Sequence, residues 1–172
     1  MPSASLLEDL TRALQPGRPA AKGTASAGTV VVLGVGSDLR ADDAAGIRVA
    51  ERLARLSLPG VRVVIRGTAP ENATAEIRRL APSHLLIVDA AEMGEDPGSV
   101  RLIDPEEVGG ASFSTHSLPM SVLAGYLRGE LGCRVTLLGI EPKSLAFGGA
   151  VSPEVETAIG ETVAALEEAL RV

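Results

Sequence analysis

TVVVLGVGSDLRADDAAGIRVAERLARL, Thr29 to Leu56, is followed after a short Ser-Leu-Pro-Gly turn by VRVVIRG, Val61 to Gly67. Thr29 to Gly36 reads as a buried strand, an aliphatic run with no polar alternation that ends in a glycine turn. Ala44 to Leu56 reads as an amphipathic helix, with Ile47, Ala50, Leu53 and Leu56 on or near one face. Val61 to Gly67 is a second strand. Strand, helix and strand in succession make a βαβ unit, with parallel strands and a right-handed crossover.

The alternation continues downstream. Ala73 to Ala81 reads as a short helix stopped by Pro82, and His84 to Ala90 (HLLIVDA) as a third strand. Ser99 to Asp104 follows a Pro-Gly turn, which suits an antiparallel strand. Leu118 to Gly132 reads as a helix ending at glycine, Arg134 to Ile140 as the last strand, and the segment from Pro153 as a helix with proline in its first turn. The pattern predicts one three-layer α/β domain: a mostly parallel twisted sheet, helices on both faces, and one antiparallel strand. No internal repeat interrupts it. Upstream, Leu6, Leu7, Leu10 and Leu14 recur at helical spacing within Ser5 to Gln15, and PGRPAAKGTASAG reads as a loose lead-in. The expected division is residues 1–28 as helix and flexible lead-in, and 29–172 as the α/β domain.

Bulk properties exclude several classes. Acidic residues outnumber basic ones 22 to 16, a net charge of −6 that leaves no electrostatic footprint for nucleic acid or an anionic membrane. Aromatics make up 2% of the chain, so aliphatic side chains must fill the core. One cysteine, Cys133, rules out an intrachain disulfide and a Cys-rich zinc site, and reads as a small, partly buried apolar group. The N-terminus carries acidic residues inside its apolar stretch, unlike an export signal, and no run reaches the roughly 18 apolar residues of a membrane span. The expected location is the cytoplasm.

Ligand sites in open α/β sheets lie beyond the carboxyl ends of the strands. Strand one leads to Asp42 and Asp43, strand three ends at Asp89, and His116 lies in the polar loop SFSTHSLP before a helix. Gly34 and Gly36 suggest a dinucleotide loop, but the third glycine of that motif falls on Leu39, and two carboxylates at the helix entrance would repel phosphate. Each acid alone has an ordinary explanation: a helix cap for Asp42 or Asp43, a strand terminus for Asp89. His116 alone would be a capping or solvated histidine, and His84 reads as a surface residue. As a set, the carboxylates and one imidazole suit a divalent ion such as Ni²⁺ or Zn²⁺, or acid–base chemistry. Serine chemistry has weaker support: Ser114, Thr115 and Ser117 flank His116, but no G-x-S-x-G elbow is present.

VVVLGVGSDLRADDAAGIRVAERL, GTAPEN, LLIVDAAEMGEDPGSVRLID, STHSLPMSVLAGYL and LLGIEPKSLAFGGAVSPEVETAI occur in the order of the hydrogenase-maturation endopeptidases, which the chain resembles from about Thr29 to Leu170. The resemblance is to the branch that processes the large subunit of formate-hydrogenlyase-type [NiFe]-hydrogenases. It implies an endopeptidase that removes a C-terminal extension from the large-subunit precursor after nickel insertion. It also implies that Asp43, Asp89 and His116 are the catalytic, metal-reading positions, with Asp42 as the neighbouring acid and a further candidate ligand. The implied ion is Ni²⁺ carried by the substrate, with no other cofactor; the implied partner is the precursor, with no nucleic acid and no membrane insertion. Two departures stand out. Ser37 replaces the family's usual Asn after G-x-G, and Ala44 replaces the glycine after the acid pair, a mild change unless position 44 needs positive φ. The competing expectations are a general metallopeptidase that owns its ion, and a non-catalytic metal-binding module of the same fold.

Overall fold

A computed structural model of the chain describes residues 4–15, 28–105, 112–113 and 120–171. The elements are α1 (Ala4–Leu14), β1 (Val30–Val35), α2 (Ala45–Leu56), β2 (Val61–Gly67), α3 (Thr74–Leu80), β3 (His84–Glu92), β4 (Val100–Ile103), β5 (Ser112–Phe113), α4 (Met120–Leu131), β6 (Arg134–Ile140) and α5 (Pro153–Leu170). Single 3₁₀ turns, Ala41–Ala44 and Pro70–Ala73, lead into α2 and α3. The main sheet has the order β2-β1-β3-β6-β4. Its pairs are parallel except β4 with β6, where Arg101 faces Gly139. Two-residue β5 pairs antiparallel with the end of β3, Phe113 opposite Ala91. The expected α/β architecture, with its one antiparallel strand in the main sheet, is what the chain adopts.

Residues of opposite parity serve opposite faces of the sheet, as the strand pleat requires. Val30, Val32, Leu86, Val88, Leu138 and Ile140 pack beneath α1, α2 and α5. Val31, Leu33, Leu85, Ile87, Val135 and Leu137 pack beneath α3 and α4. Burial on both faces explains why these strands read as continuous aliphatic runs rather than alternating ones. The N-terminal helix is part of this packing: Leu6, Leu10 and Leu14 are buried in the same cluster as Ala165, Leu166 and Ala169 of α5. No helix among the described residues is long and apolar enough to cross a membrane.

Three local expectations need revision. His84 is buried, not on the surface, because β3 is central: His84 sits between Val30 of β1 and Arg134 of β6. Its Nε2 lies 2.9 Å from Thr136 Oγ1, and burial, with Arg134 nearby, lowers its pKa to about 4. Strand three extends past Ala90 to Glu92, where β5 provides the partner. The helix expected from Ala44 is entered one turn earlier through the 3₁₀ turn, closed by Asp43 N–H donating to Arg40 O at 2.9 Å. Cys133 is buried as an apolar group, and burial raises its thiol pKa.

Candidate functional site

The sheet order reverses direction at β1. From β1 the chain crosses by α2 to β2 on one side, then returns by α3 to β3 on the other, and the two crossover helices lie on opposite faces. The loops at the carboxyl ends of β1 and β3 therefore diverge and leave a crevice, the usual ligand position in such sheets. Both predicted acidic segments open into it.

Close backbone approach brings the acids there. A Cβ on Gly46 would lie 2.1 Å from Val88 O and 2.3 Å from Val35 O, so only glycine lets the start of α2 rest directly on the ends of β1 and β3. Gly36 has φ +133°, a conformation open to glycine, and a Cβ there would meet Asp43 O at 1.9 Å and Asp89 Oδ1 at 3.7 Å. The backbone of Asp43 and the carboxylate of Asp89 thus both flank Gly36. Ser37 closes the turn between them: its N–H donates to Asp43 O at 3.1 Å, its carbonyl accepts from Arg40 N at 3.3 Å, and its hydroxyl accepts from Leu39 N at 3.3 Å. Ala44 has φ −71°, an ordinary helical value, so the missing glycine at 44 costs no strain.

The two neighbouring acids do different work. Asp42 is fully buried and accepts four hydrogen bonds: from Lys143 N (2.9 Å), Ser144 N (3.0 Å), Ser152 N (2.6 Å) and Ser152 Oγ (3.0 Å). Its own N–H donates to Ser144 O at 3.0 Å. Ser152 is the N-cap residue of α5, so the carboxylate also sits at the positive end of that helix's dipole. Asp42 fastens the loop after β6 and the start of α5 to the turn that carries Asp43.

Asp43 and Asp89 are both fully buried. Asp89 shares the pleat parity of Leu85 and Ile87, so it belongs to the face covered by α3 and α4. His116 lies outside the described residues, and among those residues no group of three or more His, Cys, Asp or Glu side chains forms a metal cluster. Glu141 escaped the sequence reading. It is buried directly after β6, and its Oε2 accepts from Met93 N at 2.6 Å and Glu95 N at 3.3 Å, holding the turn between β3 and β4. The signal was present: Glu141 is an acid placed straight after an aliphatic strand, as Asp89 is.

The HycI hydrogenase maturation protease family model matches residues 47–169. The chain belongs to that family. It is 38% identical to the hydrogenase 3 maturation protease of Escherichia coli over 136 residues, covering 78% of this chain and 86% of that protein. Among solved structures, the crystal structure of a [NiFe] hydrogenase maturation protease HycI from Thermococcus kodakarensis superposes with a TM-score of 0.76 at 31% identity. That match covers 84% of this chain and 94% of the other. The solution structure of the endopeptidase HycI from E. coli gives 0.74 at 37% identity, covering 81% and 90%. The chain is accordingly an endopeptidase, and its chemistry is peptide hydrolysis. The family match begins at residue 47, beyond Asp42 and Asp43.

Proposed function

We propose that this endopeptidase removes the C-terminal extension of a [NiFe]-hydrogenase large-subunit precursor once nickel is in place, and does so in the cytoplasm. We assign Asp43, Asp89 and His116 as the residues that contact the substrate's nickel and perform the cleavage. One observation carries the assignment: Asp43 and Asp89, both fully buried and from different strand ends, flank Gly36, Asp43 by its backbone and Asp89 by its carboxylate, between the ends of β1 and β3. Buried carboxylates favour a cation, because the low dielectric strengthens their attraction for it. His116 joins the set on the sequence resemblance alone, in which STHSLP matches the family's histidine segment. Asp42, with four donors already on its carboxylate, is a positioning residue in this reading.

Hydrolysis adds a water oxygen to the scissile carbonyl carbon and breaks the C–N bond, with a proton passing to the departing amine. Asp43 or Asp89 serves as the base that takes the water's proton, or the substrate's ion lowers that water's pKa. A donor set completed only by the substrate's metal would let the enzyme tell a nickel-loaded precursor from an empty one. The test is to mix the purified protein with the cognate precursor, with and without inserted nickel, and follow the precursor's mass. Loss of a C-terminal fragment from the nickel-loaded form alone supports the proposal. Cleavage of the nickel-free form, or of unrelated peptides when a divalent ion is added, would instead favour a metallopeptidase with its own ion.

A further inference from the structure

This chain holds very few aromatic side chains, one Tyr and two Phe, and Phe147 is 79% exposed. Leu39, 60% exposed, lies beside it: Gly148 N–H donates to Leu39 O at 2.8 Å. They are the two most exposed large apolar residues among those described. Leu39 is in the turn that leads to Asp43, and Phe147 is in the loop after β6, so both stand on the rim of the crevice. An aromatic ring left in water is unfavourable for a monomer, and such residues are enriched where proteins meet partners.

The loop that presents Phe147 is fastened along its length. Asp42 holds Lys143, Ser144 and Ser152, Arg40 Nε donates to Leu145 O at 3.3 Å, and Gly148 is tied to Leu39. A rigid apolar contact loses little conformational freedom on binding, which is how preorganised surfaces gain affinity. These fastenings hold the apolar contact in a fixed place beside the turn that leads to Asp43.

We infer that Leu39 and Phe147 form a docking rim for the protein substrate, gripping apolar side chains of the precursor within a few residues of its scissile bond. The inference rests on the precursor being the substrate. An extended chain advances about 3.3 Å per residue, so a peptide bond held at Asp43 and Asp89 sets its near neighbours over the rim. Leu39 and Phe147 are specificity residues in this assignment and take no part in bond breaking.

Steady-state cleavage of the cognate nickel-loaded precursor tests this with wild type, Phe147→Ala, Leu39→Ala, Phe147→Tyr and Tyr126→Ala. Tyr126 is a half-exposed aromatic on α4, away from this loop. The expected result is KM raised about tenfold or more in Phe147→Ala, a smaller rise in Leu39→Ala, kcat near wild type in both, and recovery in Phe147→Tyr. Tyr126→Ala should match wild type. All these positions are exposed, so the variants keep the fold, which circular dichroism checks. Unchanged KM in Phe147→Ala, a loss through kcat alone, or an equal effect of Tyr126→Ala overturns the docking rim while leaving the substrate assignment standing. A folded wild type that neither binds nor cleaves the precursor overturns both.

Discussion

Asp42 accepts four hydrogen bonds, two of them from Ser152, which is 110 residues away in sequence. Hydrogen bonds to a charged acceptor stabilise by about 1.5–3 kcal/mol, and a buried group stripped of its partners costs as much or more. Asp42→Asn turns an amide N–H₂ toward groups that are themselves donors. The expected outcome is a loss of about 2–4 kcal/mol in urea unfolding and weaker cleavage, because the turn carrying Asp43 is no longer tied to α5. Unaltered stability would contradict the anchoring role. Two adjacent acids in a sequence look alike, so the motif marked the place without separating Asp42 from Asp43. What separates them is contact with a distant loop, and local pattern does not encode that. Ala44 was different: its tolerance followed from backbone geometry, which a first-turn helix position already implies.

Strand β3 carries both Asp89 and His84, one at each part of the same buried ribbon. The neutral form of His84 is favoured in the folded chain, with a pKa of about 4 against an ordinary 6.5. Above pH 6.5 both folded and unfolded chains hold it neutral, and stability does not depend on it. Between 6.5 and 4 the unfolded chain binds the proton and the folded chain does not, so stability falls by roughly 3 kcal/mol before levelling below 4. His84→Gln removes the titration and can keep the bond to Thr136; its stability should fall less than wild type across that window. Parallel profiles for the two proteins would show that His84 does not titrate in this way. The error over His84 was one of context. A polar residue after Pro82 and Ser83 reads as a loop end, and only the central place of β3 in the sheet buries it. The aliphatic strands, by contrast, were legible because burial on both faces leaves them no polar positions. The leucine spacing of α1 was legible for a related reason: a helix that docks by one stripe must repeat it, and Leu6, Leu10 and Leu14 do.

The order β2-β1-β3-β6-β4 is what turns separate loops into one crevice. Local periodicity announced the βαβ beginning and helices on both faces, but it held no information on the strand order or on which strand β4 would join. Long-range pairing with β6, Leu102 opposite Leu138, settles that only in the folded chain. The same limit explains why Asp43 and Asp89 could be proposed as partners while Glu141, at the end of the next strand, went unnoticed. Family membership shows that the chain is an endopeptidase; the proposed chemistry falls to the buried acids Asp43 and Asp89. The most direct test is cleavage of nickel-loaded precursor by Asp43→Asn and Asp89→Asn, each isosteric with the acid it replaces. Processing should drop by at least about a hundredfold, as loss of an acid–base group does, with circular dichroism and solubility unchanged. Folded variants that cleave the precursor at the wild-type rate would contradict the account.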